Sequence, residues 1–233
     1  MTGIDENHML KLTNIDAGYG PKQVLRNVSL EIERGSVVAL IGPNGAGKST
    51  VLKVIAGLLQ PIQGTVEFCG KNMVTWPTYR RARNGIGYLM QNGPVFGSLT
   101  VTEHQRLAGL DKREPVVPGL VGKRGGVLSG GERQRFAVEL CLQRKPKLLL
   151  LDEPSAGIAP GLAEEIYARI KERITGTDTA VLVVEQNLQF LPDFADRVIV
   201  MHNGEIRRND LPLADLGDSD AMFEAFYGSA EPG

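Results

Sequence analysis

Gly42-Pro43-Asn44-Gly45-Ala46-Gly47-Lys48-Ser49-Thr50 satisfies the spacing G-x-x-x-x-G-K-[ST] at every fixed position. Glycines at 42, 45 and 47 let several backbone N–H groups converge on one anion, and the positive end of a following helix favours the same charge. Lys48 can reach the β- and γ-phosphates of a nucleoside triphosphate, and the Ser49 hydroxyl suits Mg²⁺. Such a loop needs a strand before it and a helix after it. Val37-Val38-Ala39-Leu40-Ile41 reads as a buried strand and Ser49 to Leu58 as a helix, which a chance glycine turn would not require.

A second group follows another apolar run. Leu148-Leu149-Leu150-Leu151 leads directly into Asp152-Glu153-Pro154, where Pro154 ends the strand. Beside a phosphate loop, Asp152 can hold Mg²⁺ or its waters, and Glu153 can polarise a water for in-line attack on the γ-phosphate.

The elements that must position these residues are legible in outline. Leu10 to Ala17 and Val28 to Ile32 alternate as strands with one exposed face, with Gly18, Gly20 and Pro21 marking the turn between them. Thr65 to Phe68 and Ile86 to Met90 read as further strands, and Arg133 to Arg144 as a helix. Ala180 to Val184 and Val198 to Met201 are continuous apolar strands separated by helical stretches, which argues for a mainly parallel sheet. Residues 92–127 turn rich in glycine and proline and suggest a small appended subdomain of short helices.

Composition narrows the partners. The chain has 233 residues, within the range of one large α/β domain that buries roughly 70% of its unfolded surface. Its 26 basic and 27 acidic residues nearly cancel, so nucleic acid and anionic lipid are not expected as primary partners. The short basic run Arg80-Arg81-Ala82-Arg83 reads as a solvated helix face. Cys69 and Cys141 match neither a metal site nor a disulfide framework, which fits a reducing, cytosolic setting. Met1 to Asn7 is too polar for a secretory signal, and no apolar run approaches the ~18 residues of a membrane span. Direct membrane insertion is therefore not expected; a membrane role would come through a partner.

The third motif, Leu128-Ser129-Gly130-Gly131-Glu132-Arg133-Gln134, makes the pattern specific. Phosphate loop, Ser-Gly-Gly motif, four leucines and Asp-Glu-Pro, in that order, resemble the ATP-binding subunit of the ATP-binding cassette (ABC) superfamily over roughly residues 9–228. The resemblance implies an α/β P-loop NTPase fold with a mainly parallel core sheet, an N-terminal antiparallel β subdomain and a short helical subdomain. Residues 9–91 and 145–228 would form one nucleotide-binding core around a helical segment at 92–144. ATP and Mg²⁺ are the implied ligands, with Gly42 through Thr50 on the nucleotide and Ser49, Asp152 and Gln91 on the metal. Ser129, Gly130 and Gly131 at a helix start form a second anion nest. In the family it closes on the γ-phosphate held by a second ATPase subunit, giving a head-to-tail dimer. Tyr19 matches the aromatic residue that stacks on adenine, and Gln91 the glutamine that links the site to the permease. The implied partners are membrane permease subunits and, indirectly, a solute-binding protein, with this subunit peripheral on the cytoplasmic side of the cell membrane.

Two departures from the family pattern narrow it. Val184-Glu185-Gln186-Asn187 has Gln186 where most relatives carry histidine, and Ala159 stands at a usual aspartate. Gln186 can donate to a phosphate oxygen but carries no charge; with Glu153 and Lys48 it completes the expected catalytic set. Both departures resemble importers of branched-chain amino acids, urea and short amides, although the stretch from Gln91 to Ser129 is shorter than that group leads one to expect. The alternatives are an ABC ATPase of another transporter, such as an exporter or a lipopolysaccharide system, and a non-transport ABC ATPase. A DNA-repair ATPase would carry a long coiled coil between the motifs, and a translation-type protein two sets of them; neither feature is present. A non-hydrolysing regulator would follow if Gln186 disabled turnover, against which Glu153 stands. The segment Gln91-Asn92-Gly93-Pro94-Val95-Phe96-Gly97 reads as a surface loop that contacts the permease through Phe96, the alternative being a Phe96 packed inside the small subdomain.

Overall fold

A computed structural model describes residues 7–91, 93, 95–110 and 116–227. Most of the polar N-terminal segment, and Asn92 and Pro94 of the expected contact loop, lie outside the described residues.

Two sheets form the frame. Strands β1 (His8–Tyr19), β2 (Lys22–Glu33), β4 (Gln63–Phe68) and β5 (Lys71–Asn72) make an antiparallel sheet in the order β2-β1-β4-β5. The central sheet holds β3 (Val37–Ile41), β6 (Ile86–Leu89), β7 (Leu148–Asp152), β8 (Ala180–Val184), β9 (Arg197–His202) and β10 (Glu205–Leu211), in the order β10-β9-β3-β8-β7-β6. All its pairings are parallel except β10 with β9.

Every residue of β3, β7 and β8 is buried, because each face of the sheet is covered by a different layer. The strand alternation divides their side chains cleanly. Val38, Leu40, Leu148, Leu150, Leu182 and Val184 join the core shared with the antiparallel sheet and helix α1 (Lys48–Ala56). Val37, Ala39, Leu149, Leu151, Val181 and Val183 join the core under α4 (Gly130–Gln143), α5 (Pro160–Ile174) and α6 (Ser219–Tyr227). A third, smaller cluster of Val101, Val116, Val117, Leu120, Leu128 and Phe136 packs between α3 (Val101–Leu107) and α4.

Two features differ from the sequence expectation. The edge strand β10 is mostly exposed, and its run Arg207-Arg208-Asn209-Asp210 carries no apolar signal. The other is a correction. The basic run lies on the short helix α2 (Thr78–Arg83), but Arg81 is fully buried instead of solvated. Its guanidinium donates to the Val54 and Ile55 carbonyls at 2.7 and 2.9 Å, capping the C-terminal end of α1, and to Trp76 and Val74 at 3.0 Å each. A fixed fork of donors can satisfy several carbonyls at once, and a cation suits the negative end of a helix. A Cβ at Gly57 would lie 2.7 Å from Arg81 Nε, so the residue that ends α1 also makes room for this clamp.

The clamp gives a stability prediction. Arg81→Ala removes a donor from four carbonyls, of which Val54 O keeps the Gly57 N–H, and leaves a void, so we expect a loss of about 3 kcal/mol or more in urea unfolding. A change below about 1 kcal/mol would show that water replaces the guanidinium without cost.

Candidate nucleotide-binding site

Parallel register brings the chemistry to one edge. Val184 of β8 is aligned with Leu40 of β3 on one side and with Asp152 of β7 on the other. The turns that follow these three strands, carrying Gly42–Gly47, Glu153 and Glu185-Gln186, therefore leave the sheet side by side.

The phosphate loop depends on two glycines in particular. Gly47 has φ +106°, and a Cβ there would lie 2.9 Å from a Leu25 methyl. A Cβ at Gly42 would stand 2.1 Å from the Met201 carbonyl oxygen. At Gly42 the clash is with the backbone of β9; at Gly47 the nearest atoms are the side-chain ends of Leu25 and Met201, and the positive φ is what calls for glycine. Lys48 opens α1 and curls back over the loop, donating to the Gly42 and Pro43 carbonyls at 2.7 and 3.0 Å. Burial holds its pKa below the usual lysine value, while the charges of Glu153 and Asp152 act in the opposite direction.

The next residue, Ser49, donates from Oγ to Asp152 Oδ1 at 2.9 Å. The other carboxylate oxygen accepts from Tyr88 Oη at 3.1 Å. Burial still pushes the Asp152 carboxyl above its ordinary range, against the two hydroxyl donors that favour its charge. Tyr88, in turn, is driven well above the ordinary phenol value, first by burial and then by Asp152.

Glu153 sits at φ +51°, a left-handed conformation for a residue with a side chain, stabilised by its N–H bond to Val184 O at 2.9 Å. The turn aims its carboxylate at two amides. Gln91 Nε2 donates to Oε2 at 2.6 Å, and Gln186 Nε2 donates to Oε1. The loops after β6, β7 and β8 thus meet at one carboxylate.

A cavity of about 520 Å³ opens in front of the loop, lined by Tyr19, Lys22, Lys48, Ser49, Glu153 and Asn203, among others. Tyr19 stands at its rim, 46% exposed, with Lys53 Nζ 3.4 Å from its hydroxyl. Ser129, Gly130 and Gly131 do not line this cavity. Ser129 caps α4 reciprocally with Glu132: Glu132 N–H donates to Ser129 Oγ at 3.2 Å, and Ser129 N–H to the Glu132 carboxylate at 2.9 Å. Gly130 instead borders a separate groove of about 220 Å³ with Gln91, Gly93, Val95, Gln134 and Ala156. Tyr88 and Asn203 escaped the sequence reading. Tyr88 left one trace, a hydroxyl inside an apolar strand next to the strand that ends in carboxylates.

The family model for ABC transporters matches residues 25–156, a span that runs from β2 through both carboxylates to the turn behind them. The chain belongs to the ABC transporter family. BraG, a high-affinity branched-chain amino acid transport ATP-binding protein of Pseudomonas aeruginosa, is 37% identical over 222 residues, 89% of this chain and 95% of the relative. The ADP conformation of MJ1267, an ATP-binding cassette of an ABC transporter, superposes with a TM-score of 0.79 at 27% identity, covering 92% of this chain and 97% of that one. A dimeric structure of the cassette MJ0796 bound to ADP and Pi gives a TM-score of 0.74 at 25% identity, covering 88% and 99%. This ABC subunit accordingly binds and hydrolyses ATP in a transporter.

Burial of Asp152 carries a cost to the fold. A carboxyl whose folded pKa is raised above its ordinary 3.8 holds its proton more tightly folded than unfolded. Its contribution is therefore most favourable below that value, and stability falls as pH rises through the raised pKa. Asp152→Asn should melt at a higher temperature than wild type at neutral pH in nucleotide-free, EDTA-treated protein, with the gap narrowing toward pH 4. An asparagine variant that melts lower at pH 7 would contradict this account.

Proposed function

We propose that this subunit is the peripheral motor of an importer for branched-chain amino acids or related small polar solutes. The similarity to BraG supports the solute class. Gln186 and Ala159, the two departures from the general cassette pattern, point the same way. The observation that carries the hydrolytic assignment is the convergence of Gln91 and Gln186 on Glu153, which lines the same cavity as Lys48 and Ser49.

In this reading Gly42 to Thr50 hold the phosphates, and Lys48 gives up its loop carbonyls for the β- and γ-phosphates. Tyr19 stacks on adenine from the cavity rim. An alcohol bonded to a carboxylate at the mouth of a phosphate loop is the donor set Mg²⁺ takes from protein when substrate phosphates supply other ligands. Ser49 and Asp152 would hold the ion, with Gln91 beside them; when bound, Mg²⁺ neutralises charge on the phosphoryl oxygens. Glu153 accepts a proton from the attacking water. Each of its oxygens receives one amide donor and keeps a lone pair free for that proton. Gln186 donates to a phosphate oxygen.

Ser129, Gly130 and Gly131 complete the site of a second ATPase subunit, since they lie outside this chain's own cavity. Residues 92–144 act as the helical subdomain, and the small cluster around Phe136 is its core. The groove beside Gln91 supports a permease contact. Phe96 is 56% exposed, with one ring face stacked 5.8 Å from His104 and its N–H donating to His104 Nε2 at 2.8 Å. The backbone is thus tied to the subdomain while the ring is free to be covered. No helix among the described residues is long and apolar enough to cross a membrane; attachment to the cytoplasmic face through the permease is part of the proposal.

Glu153→Gln is the direct test of the hydrolytic reading. Phosphate release should fall by about 100-fold or more while ATP affinity is retained, and an ATP-bound dimer should accumulate in light scattering. Turnover within about threefold of wild type would remove Glu153 from the reaction.

The coupling reading is tested separately. In proteoliposomes with the permease and loaded binding protein, Phe96→Ala should abolish stimulation of ATPase activity and leave the isolated subunit's basal rate within about twofold. Full stimulation would exclude Phe96 as the contact.

A further inference from the structure

Glu185 is a carboxylate with 1% of its surface exposed, at the point where β8 ends. Its two oxygens receive four donors. Oε1 accepts from Ser155 N–H at 3.1 Å and from Tyr167 Oη at 2.6 Å; Oε2 accepts from Gln186 N–H at 3.0 Å and Asn187 N–H at 3.3 Å. These donors come from three places: the turn after the catalytic carboxylates, the turn that carries Gln186, and the middle of α5. A buried carboxylate is tolerated when hydrogen bonds fill its lone pairs, and bonds to a charged acceptor are the stronger kind. The Tyr167 phenol remains a donor, since burial and the Glu185 charge both raise its pKa far above the ordinary value.

We propose that Glu185 is a positioning residue for hydrolysis: it joins the Ser155 turn to the Gln186 turn so that the two move as one body, with Tyr167 fixing that body to α5. Geometry supports a rigid link. One oxygen holds each turn, and the carboxylate plane sets the angle between them. The backbone adds a second connection close by, where Glu153 N–H bonds Val184 O. A shift of the Ser155–Ala159 segment is then transmitted to the backbone of Gln186, and from there to the amide that meets Glu153. The inference rests on the reading of Gln186 as a donor used in turnover.

Glu185→Gln tests it, because an amide puts an N–H₂ group against one of the two donor pairs and releases one turn. In the full chain, kcat should fall at least about tenfold while KM for ATP stays within about twofold. Combined with Gln186→Ala, the loss should be clearly less than the product of the single losses, since one residue acts through the other. Multiplicative losses, an unchanged kcat, or a rise in KM that matches the loss of thermal stability would each overturn the proposal. Should Glu185→Gln not fold, Tyr167→Phe keeps the ring and deletes one donor; the same kcat loss at constant KM and the same non-multiplicative pairing are required of it. If Gln186→Ala alone leaves kcat unchanged, the underlying reading of Gln186 fails. Loss with Gln186→Ala but not with the Glu185 or Tyr167 variants refutes the positioning role alone.

Discussion

The alignment of Leu40, Val184 and Asp152 across three parallel strands is the constraint on which the rest depends. Parallel pairing makes neighbouring strands end at the same edge, so turns far apart in sequence emerge together. A one-residue slip of β7 against β8 would turn its side chains to opposite faces. Leu148 and Leu150 would exchange cores with Leu149 and Leu151, and Asp152 would leave Ser49. The apolar strands therefore do more than stabilise the domain. Two different layers on the two faces make the register costly to change, and the register sets the distance between the phosphate loop and its carboxylates.

The site built on that edge is not optimised for its own stability. Lys48 and Asp152 are both displaced from their ordinary pKa values by burial, and Glu153 occupies a left-handed backbone conformation. Glu185, at the end of the neighbouring strand β8, shows the contrasting solution: a buried carboxylate whose two oxygens are filled by four protein donors. The difference follows from what each group must do. In the reading proposed above, groups that meet the nucleotide need capacity left for phosphate, metal or water, whereas a group that bonds only to other parts of the protein can be saturated.

Legibility in the sequence followed the same division. The glycine positions of the phosphate loop were readable because backbone approach admits few alternatives, and β3, β7 and β8 because burial on both faces leaves unbroken apolar runs. Helix α1 was expected from Ser49 to Leu58 and spans Lys48–Ala56, an offset set by Gly57 at its C-cap. Arg81 was misread because composition gives only the charge. Its burial depends on four carbonyls that the α1 end and the Trp76 turn assemble in three dimensions. Nothing in Val184-Glu185-Gln186 tells which side chain points into the protein, so the sequence does not single out Glu185 beside Gln186. Edge strand β10 had no apolar periodicity to reveal it.

The Ser129 motif shows why a complete set of motifs in one chain is not yet a complete site. Its hydroxyl already accepts the Glu132 N–H, and Glu132 returns the bond to Ser129 while pairing with Lys123 at 2.8 Å. Capping satisfies the helix start locally, so the fold does not need an anion there. What remains is the polarity of a fourteen-residue helix and the open backbone at Gly130, where a Cβ would meet nothing within 4 Å, whereas Leu162 already packs against Gly131. A phosphate from outside the chain could use those features without disturbing the cap. The element is thus self-sufficient in folding, and under the function proposed above it takes part in a site only when another subunit brings the ligand to it.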